Sequence, residues 1–221
     1  NRMTVKKTWL ACGTEQGLLE TMGLGCEMET YDPMEKAMLA YCEQHGISRE
    51  SLFGNEFISE YPFTHELKMM GHVWRKNGEL IVAAKGSPER ILALCNLTEE
   101  QQITAGRQIC ALSGEGLRVI AIAAEYPRDV ASVPASLTDC RLTFLGLVGL
   151  SDPPRETVGD DIAVCNRAGI RVVMITGDNG VTASAIARKI GIPGSEHIIT
   201  GDMLEAMSDE ELREAVKNVS I

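Results

Sequence analysis

An α+β domain built mainly on an antiparallel sheet with helices, followed by the opening of an α/β domain, is the architecture the sequence predicts. Three observations carry it. The middle of the chain is a run of strand-like segments broken by Lys76-Asn77-Gly78-Glu79, and Asn-Gly between two apolar β segments is a strong short-range hairpin signal. Up to Leu150, strands and helices mix without a βαβ rhythm, which is an antiparallel pattern. After Asp152-Pro153-Pro154-Arg155, helices alternate with apolar segments, the rhythm of a parallel, doubly wound sheet. The division predicted is residues 1–152 and residues 153–221, with too few strands in the second part for a complete α/β domain.

Each element has its own justification. Thr4–Ala11 carries Val5 and Trp9 in rough alternation and reads as a strand, whereas Cys12 to Thr30 has little periodicity and reads as loop or irregular helix. Asp32-Pro33-Met34-Glu35 starts a helix, with a capping carboxylate, Pro at the first helical position and Glu three residues after the cap; Gly46 closes it after His45. Phe57 to Ala84 is strand territory, with Met70–Trp74 paired to Leu80–Ala84 through the hairpin. Ser87-Pro88-Glu89-Arg90 opens a short helix to Leu94, and a longer helix runs from Thr98 to about Leu112. Leu117–Ala124 is an apolar strand, Tyr126–Thr138 a Pro- and Ser-containing surface loop, and Leu142–Leu150 the next strand. Beyond it lie a helix with Val158, Ile162 and Cys165 on one face, the apolar strand Val172–Ile175, and a helix with Ala183, Ile186, Ala187 and Ile190 on one face. A short strand at His197–Thr200 and a helix capped by Ser208-Asp209-Glu210-Glu211 complete the chain.

Composition narrows the function. The 221 residues are 44% apolar and 24% charged, as in folded globular proteins. A net charge of −10 makes the surface as a whole repel nucleic acid, so an anionic ligand must be captured locally. No window approaches the roughly 18 apolar residues that cross a bilayer. The seven cysteines are odd in number, widely spaced and never arranged C-x-x-C, which argues for reduced thiols and against a zinc or redox motif. His45, His65, His72 and His197 show no ligand spacing and read as surface or edge residues, so no metal-ligating set is expected.

Two strand-end motifs carry phosphate chemistry. Thr176-Gly177-Asp178-Asn179 follows the apolar Val172–Ile175 and precedes a helix, the position where α/β sheets hold phosphate. Thr176 offers a hydroxyl, Gly177 a backbone N–H and Asp178 a carboxylate; an ordinary capped turn is the alternative. Lys85-Gly86-Ser87-Pro88-Glu89 likewise ends a strand and opens a helix, placing a cation near free N–H groups, although it is not a Walker A loop. Lys85 is either a phosphate ligand or a solvated lysine. Tyr61-Pro62-Phe63-Thr64, followed by Lys68 and Met70, sets a scarce aromatic in a polar segment. Phe63 is either a ring that stacks on a purine, with Lys68 and Met70 lining the same pocket, or a core side chain under a loop. Glu35 either accepts from an adenine amino group or completes the capping box, and Arg118 either reaches phosphate or pairs with Glu115.

In this order, Asp32-Pro33-Met34-Glu35, Phe63, Lys85-Gly86-Ser87-Pro88-Glu89, Gly116-Leu117-Arg118, Asp152-Pro153-Pro154-Arg155 and Thr176-Gly177-Asp178-Asn179 resemble the P-type cation-transporting ATPases, in the branch containing the calcium pumps. The resemblance implies a nucleotide-binding domain over residues 1–152 and part of a phosphorylation domain of haloacid-dehalogenase type over residues 153–221. It implies that Phe63 stacks on adenine, Glu35 contacts the adenine amino edge, and Lys68, Met70, Lys85 and Gly86 line the nucleotide site. Arg118 reaches toward the phosphates in this reading, and Thr176, Gly177 and Asp178 meet the γ-phosphoryl group. The family commonly has Gly where this chain has Tyr31 and a basic residue where it has His65.

The same resemblance implies ATP and Mg²⁺ as ligands, the transmembrane and actuator domains of the same polypeptide as partners, no nucleic-acid partner, and a cytoplasmic location within an integral membrane protein. Family sequences continue from the phosphorylated Asp of D-K-T-G-T as L-T-x-N-x-M-[ST]-V, and this chain opens Asn1-Arg2-Met3-Thr4-Val5. The phosphorylated Asp is then expected before Asn1, and the Mg²⁺-holding G-D-G-x-N-D-x-P beyond Ile221. A soluble haloacid-dehalogenase phosphatase is a competing reading, but needs an early D-x-D-x-[TV] strand that does not occur. A regulatory module without a nucleotide pocket is the other.

Overall fold

A computed structural model describes residues 3–221; the opening Asn1-Arg2 of the N-terminal match lies outside them. Two compact units result, one from residues 3–109 with Val119–Ser151, the other from Cys110–Arg118 with Asp152–Ile221.

The larger unit is organised by a six-stranded antiparallel sheet of β1 (Thr4–Leu10), β2 (Glu56–Tyr61), β3 (Met69–Lys76), β4 (Glu79–Gly86), β5 (Arg118–Glu125, whose first residue falls in the smaller unit) and β6 (Thr143–Ser151). Their order is β1-β6-β5-β4-β3-β2. The hairpin between β3 and β4 forms as expected, with Asn77 and Gly78 at φ 51° and 87°, the left-handed pair that a two-residue turn matching the strand twist requires. One sheet face packs on three helices, α1 (Glu15–Leu24), α2 (Pro33–Gln44) and α3 (Arg49–Phe53). Leu18, Met22, Met38, Leu39 and Leu52 from these helices bury against Trp74, Ile81, Ile122 and Leu150 from the strands. Two further helices, α4 (Pro88–Ala93) and α5 (Glu99–Gly114), belong to the unit, the last turn of α5 passing into the smaller unit, and two single 3-10 turns, Val130–Ser132 and Leu137–Asp139, interrupt the loop expected over Tyr126–Thr138.

Helix α1 shows that 12–30, read as loop or irregular helix, holds a regular helix over Glu15–Leu24. Thr14 Oγ1 accepts the Gly17 N–H at 3.0 Å and caps it, and Leu18, Leu19 and Met22 bury one side. Gly17, Thr21 and Gly23 lower its intrinsic propensity, so packing forms the helix where local preference does not announce it. The short α3 went unanticipated because five residues make little more than one turn and show no helical periodicity.

The smaller unit holds α6 (Val158–Arg167), α7 (Gly180–Lys189), α8 (Gly201–Ala206) and α9 (Asp209–Ala215). Ile162, Ala187 and Ile192 form its core, with Val158, Val172, Met174, Ile190 and Ile221 against them. The strands expected at Val172–Ile175 and His197–Thr200 form no ladder. Their backbones make isolated bonds to residues 220 and 221 instead, Met174 N–H to Ser220 O at 2.9 Å and Ile199 N–H to Ile221 O at 2.9 Å. A strand that is apolar on both faces needs ladder partners and cover on both sides, and Ile175 here is 96% exposed. The haloacid-dehalogenase-like sheet is therefore not seen among the described residues. No helix among them is long and apolar enough to cross a membrane.

Candidate functional site

In the larger unit the site is built where the α1–α2 connection lies on the end of the β3–β4 hairpin. Asp32 Oδ1 accepts the Met34 N–H at 2.7 Å and caps α2, with Pro33 in the first turn. Glu35 does not close a capping box with Asp32, whose N–H donates to Thr30 Oγ1 instead at 3.1 Å. Its carboxylate turns inward: Oε2 accepts the Glu27 N–H at 3.1 Å, and Oε1 accepts from Lys85 Nζ. Lys85 Nζ also donates to Gly25 O. Both residues are 3% exposed, so the pair is a buried ion pair and not a solvated one. Burial alone would push the Glu35 carboxyl up; the Lys85 ammonium, and hydrogen bonds from Lys85, Thr30 and Glu27, outweigh it and hold the group below its usual range.

The strand ladder brings the other predicted residues to the same corner. Met70, buried, sits opposite Lys85, and Met69 opposite Gly86. A Cβ at Gly86 would lie 2.4 Å from Met69 Cβ and 2.7 Å from Lys68 O, so only glycine admits this approach. Ser87 N–H donates to Lys68 O at 2.9 Å, and Lys68 N–H donates to Thr64 O at 2.8 Å. The loop carrying Phe63 is thereby pinned to the end of β4. Phe63 is 52% exposed, with only an edge contact to His65 at 5.7 Å between centroids, which excludes the core-side-chain reading. Lys68 is exposed, at φ 53°. Tyr31 is 87% exposed, with Lys36 Nζ 5.6 Å from its ring centroid.

In the smaller unit, Arg118 Nη2 lies 3.4 Å from Asp178 Oδ1, both side chains partly exposed; a surface pair of this kind contributes about 0–1 kcal/mol. Thr176 Oγ1 accepts the Asp178 N–H at 3.0 Å. The cap of α7 is Asn179, whose Oδ1 accepts the Val181 N–H at 2.9 Å, rather than Asp178. Thr182 Oγ1 donates to Leu117 O at 3.0 Å, tying α7 to the segment that presents Arg118. Thr176 and Gly177 are exposed, and a Cβ at Gly177 would meet nothing within 4 Å.

Sequence reasoning missed the carbonyls of Leu24 and Gly25 and the backbone of Glu27, which leave no side-chain signature. It also misplaced His72. That residue is 2% exposed on β3, its Nδ1 3.0 Å from Leu24 O, because spacing along one chain does not reveal what a strand faces across the ladder.

Comparison with known proteins identifies the family. Residues 27–157 match the cation ATPase family model described as P-type ATPase, cytoplasmic domain N. The chain is 36% identical over 202 residues to the sodium/potassium exporting P-type ATPase cta3 of Schizosaccharomyces pombe, covering 82% of this chain and 20% of that protein. It is 34% identical over 202 residues to calcium-transporting ATPase 1 of Lactococcus lactis, covering 86% and 23% respectively. For the endoplasmic reticulum calcium ATPase srcA of Aspergillus fumigatus the figures are 35% over 191 residues, 74% and 20%. The chain thus spans about a fifth of the length of these relatives, and it belongs to the P-type cation ATPase family.

Proposed function

We propose that this chain binds ATP, as the nucleotide-binding region (residues 1–152) with part of the phosphorylation domain (residues 153–221) of a calcium-transporting P-type ATPase. The parent couples ATP hydrolysis, through an aspartyl-phosphate, to cation transport, with this part on the cytoplasmic side of a membrane and the transmembrane and actuator domains in the same polypeptide. The observation that carries the reading is the half-exposed Phe63 on a loop pinned beside the buried Glu35–Lys85 pair.

Phe63 stacks on the adenine ring. Glu35 accepts from its amino group, since a carboxylate has about four lone-pair sites and Lys85, Glu27 and Thr30 occupy only part of that capacity. Lys85 keeps Glu35 charged and in place, Met70 and Gly86 shape the floor, and exposed Lys68 supplies positive charge toward the phosphates. In the smaller unit, Arg118, Thr176, Gly177 and Asp178 are the phosphoryl-group contacts that the family reading assigns. Mg²⁺ belongs with ATP in this family, but Asp178 is a single carboxylate already facing Arg118. That donor set does not fit a Mg²⁺ site, which needs more oxygen ligands in octahedral array.

ATP is expected to bind in the high micromolar to millimolar range, about −4 to −6 kcal/mol, measured by displacement of a fluorescent ATP analogue. Because D-K-T-G-T does not occur in the chain, incubation with γ-labelled ATP and Mg²⁺ is expected to leave no hydroxylamine-sensitive label; phosphoryl transfer requires a positioned nucleophile. Stoichiometric label on Asp152 or Asp178 would overturn the reading in favour of a soluble phosphatase, and no displacement at all would favour a regulatory module.

A further inference from the structure

We propose that Glu27, Glu60 and His72 form a binding site for one divalent first-row transition ion of the Zn²⁺ class. A ligand atom from each lies within 4.8 Å of the other two. The ladder between β2 and β3 explains how they meet. Phe57 pairs with Trp74, but the next pairs are Ser59 with Val73 and Glu60 with His72, because β2 carries one extra residue between Phe57 and Ser59. In an unbroken ladder Ser59 would oppose His72. The bulge puts Glu60 there and turns its side chain to the face that holds His72 and Trp74.

The protonation pattern of His72 points the same way. Its Nδ1 lies 3.0 Å from Leu24 O, which only accepts, so Nδ1 carries the hydrogen. In the neutral ring Nε2 then presents a lone pair. That atom is buried with no hydrogen-bond partner, and Glu27 Oε1 stands 3.6 Å away. Two carboxylates facing a buried lone pair repel it unless a cation lies between them. The 3.6 Å between Nε2 and Glu27 Oε1 is close to the edge, about 3.3 Å, of a tetrahedron with metal–ligand bonds of about 2.0–2.1 Å. Nδ1–H bonded to a backbone carbonyl is the second-shell contact that orients a ligating histidine.

One imidazole with two carboxylates selects transition ions over Mg²⁺ and Ca²⁺, which take all-oxygen sets. Glu27 and Glu60 are exposed at the mouth, leaving room for water as a further ligand. The buried thiols do not compete: burial pushes Cys26, Cys42, Cys95 and Cys140 each up to about 12. Metal capture here is independent of whether ATP binds at the neighbouring corner.

Co²⁺ and Zn²⁺ titrations of the whole chain test this, read by visible d–d absorption and calorimetry. One equivalent is expected, without a thiolate charge-transfer band, in the wild type and in a Cys12→Ser/Cys110→Ser/Cys165→Ser variant. Glu27→Gln and Glu60→Gln, both at exposed positions, are each expected to weaken binding about tenfold or more with unchanged circular dichroism, and His72→Gln to abolish it. Unchanged affinity in both glutamine variants, loss of binding in the serine variant, tighter binding of Ca²⁺ or Mg²⁺ than of Zn²⁺, or no saturable binding would each overturn the proposal.

Discussion

Lys85→Met is expected to lower the unfolding free energy of the sheet unit by about 3–5 kcal/mol at neutral pH, measured by urea denaturation. Removing the ammonium leaves the Glu35 carboxylate buried with only hydrogen bonds to hold its charge. The lost Coulomb attraction is not repaid by water, because both side chains are almost fully enclosed. The double variant Lys85→Met/Glu35→Gln is expected to recover much of the loss, since an amide still accepts the Glu27 N–H and carries no charge.

Acid narrows these differences. In the wild type the folded-state value of Glu35 is depressed, so its contribution is present above the ordinary value of about 4.3 and is lost as pH falls through the folded value. In Lys85→Met burial pushes the same group up, so protonation relieves the buried charge and the deficit relative to wild type shrinks on acidification. A deficit below about 1 kcal/mol, or one independent of pH, would mean that the pair is solvated in solution.

Phe63→Ala is expected to weaken ATP binding at least about fivefold, the lower end of the 1–3 kcal/mol that stacking on an aromatic contributes, with little change in stability. The ring is half exposed, with its ring contact to His65 edge-on, so the truncation removes little packing. AMP and adenosine are expected to lose affinity by the same factor, because the ring meets the base and not the phosphates. Wild-type affinity in this variant would remove Phe63 from the site.

The antiparallel sheet was legible because its signals are local. Asn77-Gly78 names its own turn, and Asp32-Pro33 names its own helix start. What stayed hidden depends on the partner a residue meets. Glu35 looks locally like the second half of a capping box, yet a lysine fifty residues away in sequence claims its carboxylate. His72 shows no ligand spacing along the chain, because its neighbours come from β2 and the α1–α2 connection. Val172–Ile175 has the composition of a strand and lacks the ladder, since strand formation is settled by the neighbours a segment finds and not by its own residues.

Amide shifts mapped during an ATP titration test the central claim most directly. ATP is expected to perturb, in one saturable process, residues 25–35, 62–70 and 85–88, with adenosine alone reproducing the shifts around Phe63 and Glu35. Saturable shifts that leave these segments untouched, or no shift up to about 10 mM ATP, where binding is weaker than about −3 kcal/mol, would contradict it.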